Sequence, residues 1–417
     1  MTLPNGLKTV EEHLAVVLAA VRPLAAETVP LGAGRGRTLA QPLRAQVDIP
    51  VFDNSAMDGF AVRFADVAAA ASDSPVTLRV VADLPAGTDL DPQLAPGEAA
   101  RIMTGSPVPA SADAIVPFED TAHGLDDSLT ETAVLVAPRA VGAHIRRRGS
   151  DAVIGDELVP VGELVGALQT AAGAAAGVST LVVARTPRVA VISTGTELVT
   201  PGLPLRHGQI PESNSELLAG LVAEAGAAVV LRRTVADEND ALREVLAHAD
   251  NVDADVIVFS GGVSAGAYEV VKNTLGPGRE MEFVKVAMQP GKPQGFGVGP
   301  GGALLFGLPG NPVSVAVSFE TFVRPALLAL QGRTALHRPI LRLPAAVGWR
   351  TPPGRRQYLP AVIDRSDPAR WCVRPATGGG SGSHLAGGLG RAEAYAIIDA
   401  AIDVVAVGDP VDVMLIS

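Results

Sequence analysis

The chain has one cysteine, Cys372, in 417 residues. One thiol cannot build a disulfide framework or a cysteine-based metal site, and its scarcity agrees with a reducing cytoplasm. Positive charge is also in short supply, with 33 Lys and Arg against 44 Asp and Glu and a formal net charge of −11. At long range such a chain repels nucleic acid and anionic lipid, so neither is the default partner. Any anionic ligand needs a local basic cluster working against the global sign. A signal-peptide pattern is missing, because Lys8 is followed at once by Glu11, Glu12 and His13. The run Leu164 to Ala184 carries no charge and is long enough to span a bilayer. It is mostly small or polar, Gly166, Gly173 and Gly177 interrupt it, and its end reads as a β-strand, so no membrane span is expected. There is no internal repeat of roughly 20–50 residues and no low-complexity tract beyond an alanine bias.

What the chain does have is apolar material: 47% of residues, with 18% charged. That is enough to bury several cores and excludes wholesale disorder. At roughly 150 residues per domain, the length implies about three domains. Thr9 and Glu12 have the spacing of a capping box, and Val10, Leu14, Val17, Leu18 and Val21 follow on one helical face until Pro23 closes the helix. Residues 42 to 140 then break into short β-rich runs (Val76 to Val81, Ala114 to Phe118, Ala133 to Val136), which reads as a small β domain. Ile145 to Gly149 has the character of a linker. A helical run begins near Glu163 and is expected to pack back on the first helix, as a domain inserted between two parts of another would require.

Residues 178 to 330 carry a cleaner pattern. Strand-like Arg188 to Ser193 precedes a helix from Ser213, where Ser213 and Glu216 again have capping-box spacing. Val229 to Val235 leads to a helix from Glu238 to His248, with Asp237 as its plausible N-cap. Asp255 to Ser260 runs into Gly261-Gly262 and a helix near Glu269 to Leu275. Ala303 to Gly307 feeds Pro309-Gly-Asn-Pro312 and a long apolar helix to Leu330. Such alternation predicts a parallel, doubly wound sheet. After Arg333 short strands and Gly/Pro turns return, which indicates a C-terminal β domain.

In a doubly wound sheet ligands bind outside the carboxyl ends of the strands. Those ends read Ser193-Thr194-Gly195-Thr196-Glu197, Asp237-Glu238, Gly261-Gly262-Val263-Ser264 and Leu308 to Pro312. Glycine turns entering helices offer unpaired backbone N–H groups to phosphate. Carboxylates beside them repel phosphate unless a divalent cation intervenes, and Mg²⁺ takes one or two carboxylates plus phosphate oxygens. Glu197, Asp237 and Glu269 together therefore point to a metal-assisted phosphate site. Singly, each has a plainer reading: Asp237 as a helix cap, Glu197 as a solvated loop carboxylate, Gly261-Gly262 as a turn needing φ > 0, Pro309 and Pro312 as helix starters. Basic residues gather at Arg146-Arg147-Arg148, Lys285, Lys292 and Arg355-Arg356. The arginine triplet is either a solvated linker or a polyanion contact. Asp53 to Gly59, with carboxylates at Asp53 and Asp58, reads as an Asx-capped turn or as part of a site.

Seven motifs in order, DNSAMDG (Asp53 to Gly59), RIMTGSPVP (Arg101 to Pro109), RRRGSD (Arg146 to Asp151), STGTEL (Ser193 to Leu198), GGVSAG (Gly261 to Gly266), PGKP (Pro290 to Pro293) and GLPGNPVS (Gly307 to Ser314), resemble the molybdopterin molybdenumtransferases, the MoeA and gephyrin E-domain family. The resemblance runs over essentially the whole chain. It implies a multidomain α/β plus β fold: a split N-terminal domain (1–45 plus 141–177), an inserted β domain (46–140), a MogA-like, doubly wound molybdopterin-binding α/β domain (178–330) and a C-terminal β-barrel-like domain (331–417). It further implies a cytoplasmic, Mg²⁺-dependent homodimer that inserts molybdenum from molybdate into adenylylated molybdopterin and releases AMP. The molybdopterin adenylyltransferase and molybdoenzymes are its implied neighbours.

By the same resemblance Glu197, Asp237 and Glu269 line the nucleotide and pterin site, with Glu197 and Asp237 as metal ligands. Ser193, Thr194, Gly195, Gly261, Gly262, Ser264, Lys285, Lys292, Pro309, Asn311, Pro312 and Ser314 share the pocket. Asp58, Thr104, Arg146 and Asp151 reach it from the other subunit, and Arg355 or Arg356, with Ser383, contact molybdate. Two positions depart from the family pattern, which has Asp where Glu269 stands and Lys where Gln289 stands. Those departures keep open an alternative, a non-catalytic pterin-binding scaffold of the same fold.

Overall fold

The structure is a computed structural model that describes residues 6–126, 129–263, 270–276, 280–377 and 386–416. Its centre is a six-stranded sheet in the order Ala228–Val235, Arg188–Thr194, Val256–Ser260, Leu304–Leu308, Pro293–Val298, Met281–Lys285. The first four strands are mutually parallel. Pro293–Val298 runs antiparallel to both its neighbours, where the sequence pattern predicts only parallel strands. The reason is local: the chain reverses at the Gln289–Pro293 turn with no helix between, so the return strand must be antiparallel. The strands Val256–Ser260 and Leu304–Leu308 are buried along their whole length, as strands covered by helices on both faces are.

The first helix, Val10–Ala20, begins as its spacing predicts. Thr9 Oγ1 accepts from the Glu12 N–H at 3.1 Å and Glu12 Oε2 accepts from the Thr9 N–H at 2.7 Å. Its apolar face does not meet the second helical run. Val10, Val17 and Val21 join the core formed by the central sheet and the helical segment Pro312–Leu330. The second run forms Ala167–Ala175, which buries only Gly173 and lies against the turn Leu31–Gly34 and the strand Glu157–Val159. A Cβ on Gly173 would stand 3.0 Å from Leu31 and Leu43 methyls. A face of alanine and glycine suits that close approach and has no side chains to interlock with Val17. The rest of the uncharged run, Thr180–Ala184, is a strand pairing antiparallel with Ala26–Pro30, so this pairing continues past residue 177. Among the described residues only Pro312–Leu330 is long and apolar enough to cross a membrane, and 83% of that window is buried within the protein.

A five-stranded sheet (Ala114–Pro117, Gly59–Val62, Glu98–Ile102, Val76–Leu84, Glu131–Val134) forms the inserted β domain. The expected linker is ordered: Ile145–Arg146 pairs with Asn54–Ser55, Arg147 bridges to Asp53 and Arg148 to Asp48. The C-terminal sheet runs Met288–Gln289, Arg356–Asp364, Ala394–Ile398, Pro410–Leu415, Ile340–Pro344, with Cys372–Pro375 beside Arg356–Asp364. Met288–Gln289 leaves the central domain and pairs in parallel with Arg356–Gln357. That pairing brings the C-terminal domain to the mouth of the central sheet.

Candidate functional site

The carboxyl ends of the four parallel strands open into a cavity of about 600 Å³, within the usual size for a small-molecule site. Its floor is built by glycine. Gly261 has φ +95°, and a Cβ there would stand 2.6 Å from the Thr194 carbonyl oxygen. At Gly195 a Cβ would meet the Glu197 carboxylate at 2.8 Å. Only glycine lets the two strand-end turns approach each other and the folded-back Glu197 side chain. The third wall is the turn Pro309–Asn311, and Asn214 ties it down by donating from Nδ2 to the Gly310 carbonyl at 2.7 Å. On the far side the Gln289–Pro293 loop is pinned from within by buried Gln294, whose Nε2 donates to the Gly291 carbonyl and to Ser318 Oγ, both at 2.7 Å.

Of the residues the sequence points to, Thr194, Gly195, Glu197, Asp237, Gly261, Gly262, Lys292, Pro309, Asn311, Ser314 and Arg355 line this one cavity. Asp237 is not the cap of the following helix, which starts at Asn239 with Glu238 before it and no side-chain cap. Instead Asp237 Oδ2 accepts from the Thr196 N–H at 3.3 Å, and the Asp237 N–H donates to Thr196 Oγ1 at 3.4 Å. These bonds clip the Glu197 turn to the end of the neighbouring strand and place both carboxylates on one wall. Lys292 and Arg355 supply the positive charge of the lining.

Other expected residues lie elsewhere. Ser193 is fully buried beneath the floor, donating to Glu212 Oε1 at 3.0 Å and accepting from Ser260 Oγ at 3.1 Å. Alternation along its strand sends Thr194 to the cavity and Ser193 away from it. Pro312 begins the helix Pro312–Ser318 and serves as its first residue, not as lining. Lys285 is exposed at the end of the edge strand, outside the cavity lining. Arg356 points to a different groove and is bound to Glu11. Burial opposes its charge, but bonds to Glu11 and Tyr358 override this and raise its pKa. Asp58, Thr104, Arg146 and Asp151 belong to the inserted β domain and its junction, and none lines the cavity within the chain. There Asp58 Oδ1 accepts from the Thr104 N–H at 2.6 Å, which with the Thr104 hydroxyl holds its carboxyl below the usual range. Ser264, Glu269 and Ser383 lie outside the described residues.

The sequence pattern missed two supports of the site. Ser213 has no capping bond. Glu212 does that work from inside, accepting from the Ser215 N–H at 2.9 Å and from its hydroxyl, while Glu216 turns outward to Arg232 at 2.6 Å. Asn214, the first residue of the same helix, is 7% exposed and lines the cavity. The only sequence signal for either was a cluster of polar residues (Glu212 to Ser215) where a buried helix start would otherwise be apolar.

Mg²⁺ can be tested against these side chains. Among the described residues no group of three or more His, Cys, Asp or Glu side chains could enclose a metal. Two carboxylates, Glu197 and Asp237, lining one cavity fit an ion that takes one or two protein carboxylates and completes its shell with water and phosphate. Among the described residues the buried Thr194 Oγ1, Asn214 Oδ1 and Gln289 Oε1 have no partner, and all three residues line this cavity. Unpaired buried polar atoms are costly unless a ligand satisfies them.

Three family models match successive parts of the chain: the MoeA N-terminal region (domain I and II) over residues 8–177, a probable molybdopterin binding domain over 190–329, and the MoeA C-terminal region (domain IV) over 342–416. The chain is 45% identical over 365 residues to molybdopterin molybdenumtransferase 2 of Mycobacterium tuberculosis, covering 86% of this chain and 88% of that protein. It is 39% identical over 317 residues to a molybdopterin molybdenumtransferase of Nostoc, covering 75% and 71%. A crystal structure of the MoeA molybdopterin biosynthesis protein of Pyrococcus horikoshii superposes with a TM-score of 0.82 at 26% identity, covering 98% of this chain and all of that one. A cavity at the strand ends of a MogA-like sheet, glycine turns beside an acidic pair, and these matches along the chain agree: it belongs to the MoeA family of molybdopterin molybdenumtransferases.

Proposed function

We propose that the chain transfers molybdenum from molybdate to molybdopterin presented as its adenylylated form, releasing AMP, in molybdenum cofactor biosynthesis. One observation carries this reading: a single cavity holds an acidic pair, Glu197 and Asp237, on one wall and a cationic pair, Lys292 and Arg355, among its other lining residues. A phosphate-linked nucleotide and a tetrahedral oxyanion need that division in an otherwise acidic protein. Glu197 and Asp237 would hold Mg²⁺, which when bound supplies positive charge to phosphate oxygens. The glycine turns at Gly195 and Gly261 leave room for the same phosphates, while their own N–H groups donate to the Val235 and Leu308 carbonyls at 3.2 and 3.0 Å. Lys292 and Arg355 bind and orient molybdate through charge-assisted hydrogen bonds.

The active unit on this reading is a homodimer in the cytoplasm. Asp58, Thr104, Arg146 and Asp151 of one subunit then complete the cavity of the other, and the adenylyltransferase and molybdoenzymes stand before and after it. One observation favours the scaffold alternative: Gln289 places a neutral amide in the cavity lining where the family pattern has a cation. A single-turnover assay with adenylylated molybdopterin, molybdate and Mg²⁺ decides between them. AMP release coupled to molybdenum insertion supports the transferase; tight pterin binding without AMP release supports the scaffold.

A further inference from the structure

Asn214 is the residue of this site whose placement its local role does not explain. It sits at the first position of the helix Asn214–Glu224, where a helix start needs no buried side-chain amide. The amide orientation is set by its partner. The Gly310 carbonyl can only accept, so the group 2.7 Å from it must be the NH₂. The other end, Oδ1, is therefore an acceptor. It is buried, has no partner among the described residues, and belongs to a residue lining the cavity. Its position is stiff: Gly310 holds the side chain, and the helix start is fastened by Glu212, which accepts from the Ser215 N–H at 2.9 Å.

We infer that Asn214 is a specificity-determining residue that accepts a hydrogen bond from an N–H of an amino-substituted heterocycle in the cavity. This rests on the function proposed above and names what reads the ring system. An acceptor locked in place, with no partner among the described residues, favours a donor there and rejects a carbonyl in the same position, because two lone pairs would then face each other. A phosphate or oxyanion is rejected for the same reason, so Asn214 does not belong to the anion-binding part of the cavity. Thr194, whose hydroxyl both donates and accepts, adds capacity without direction. Two rings of the proposed substrate carry such an edge: the pterin, through its 2-amino group, and the adenine, through its 6-amino group.

The test is a binding measurement on the full-length protein with two matched ligand pairs. Pterin is compared with lumazine, which has a carbonyl in place of the 2-amino group, and AMP with IMP, which has a carbonyl in place of the 6-amino group. The wild type should prefer the amino member of one pair by at least about tenfold, the value of one well-placed hydrogen bond. Asn214→Ala and the near-isosteric Asn214→Leu both remove the acceptor, and each should bring that ratio close to one. The pair that responds identifies the ring. A ratio unchanged in whichever of the Ala and Leu variants is folded, or no preference in the wild type for either pair, overturns the inference while leaving the transferase reading standing. If the wild type binds neither pterin nor AMP, the functional reading fails and this inference falls with it.

Discussion

His13 offers the sharpest quantitative test of how the first helix is held. It is 3% exposed, its ring meets Phe322 edge-on at a centroid distance of 4.7 Å, and its Nδ1 has no partner among the described residues. Burial, helped by the nearby Lys8 charge, lowers its pKa from 6.5 to about 4. The folded chain therefore keeps His13 neutral at a pH where the unfolded chain protonates it. Stability from this residue is complete above pH 6.5 and drains away as pH falls towards 4, at about 1.4 kcal/mol per pH unit. Over that window the loss is about 3 kcal/mol, a large fraction of a typical folding free energy. The variant His13→Leu fills similar space without a titrating group. Denaturant unfolding of wild type and variant between pH 8 and 4, with hydrogen exchange of the helix Val10–Ala20 as the local probe, should give curves that diverge below pH 6.5. Loss of stability from carboxylates with lowered pKa values, such as Glu11 and Glu12, sets in at lower pH and is common to both proteins. Parallel curves from pH 6.5 to 4, or an imidazole that titrates near 6.5 in the folded protein, would refute the reasoning.

Three further outcomes follow from the site. Glu197→Gln removes an exposed carboxylate and should change stability by less than about 0.5 kcal/mol, while raising the Mg²⁺ concentration needed for half-maximal AMP release by tenfold or more; an unchanged Mg²⁺ titration removes Glu197 from the metal role. Gly261→Ala forces a side chain onto φ +95° and onto the Thr194 carbonyl; it should cost about 1–3 kcal/mol and weaken AMP binding, and a variant with wild-type melting and affinity would show that the turn is not rigid. Gln289→Lys adds a cation to a lining that already holds Lys292 and Arg355, so calorimetry should record tighter molybdate binding that weakens as salt rises; equal or weaker binding would place the oxyanion away from this loop.

Much of the fold was legible because the signals are local. The Thr9/Glu12 cap depends on residues three apart, and the four parallel strands announce themselves as short apolar runs ending in glycine or acidic turns. The two strands joined by antiparallel pairing were less legible. Met281–Lys285 mixes Glu282 and Lys285 with apolar residues, and Pro293–Val298 contains two glycines, so neither has a strand's ordinary composition. Gly295 and Gly297 are there because of contacts made across the sheet: a Cβ on Gly297 would stand 1.8 Å from the Glu280 carbonyl. The caps at Ser213 and Asp237 were misread for a related reason. Ser193 and Thr196, distant in sequence, place Glu212 and Asp237 in roles that spacing alone cannot reveal.

The amino-acid order by itself marked the candidate site residues. Acidic residues and glycines at strand ends are visible along the chain because short apolar runs stop there, although the contacts that need them at Gly195, Gly261 and Asp237 come from neighbouring turns. Tertiary structure alone decided which of those residues share a cavity. Arg355 reaches the site because Met288–Gln289 pairs with Arg356–Gln357 in another domain, and Arg356, one position on, faces Glu11 because successive side chains leave opposite faces of the chain. Ser193 was lost to the floor and Asn214 gained for the wall on the same principle: orientation depends on packing between elements far apart in the sequence, and no window along the chain contains that information.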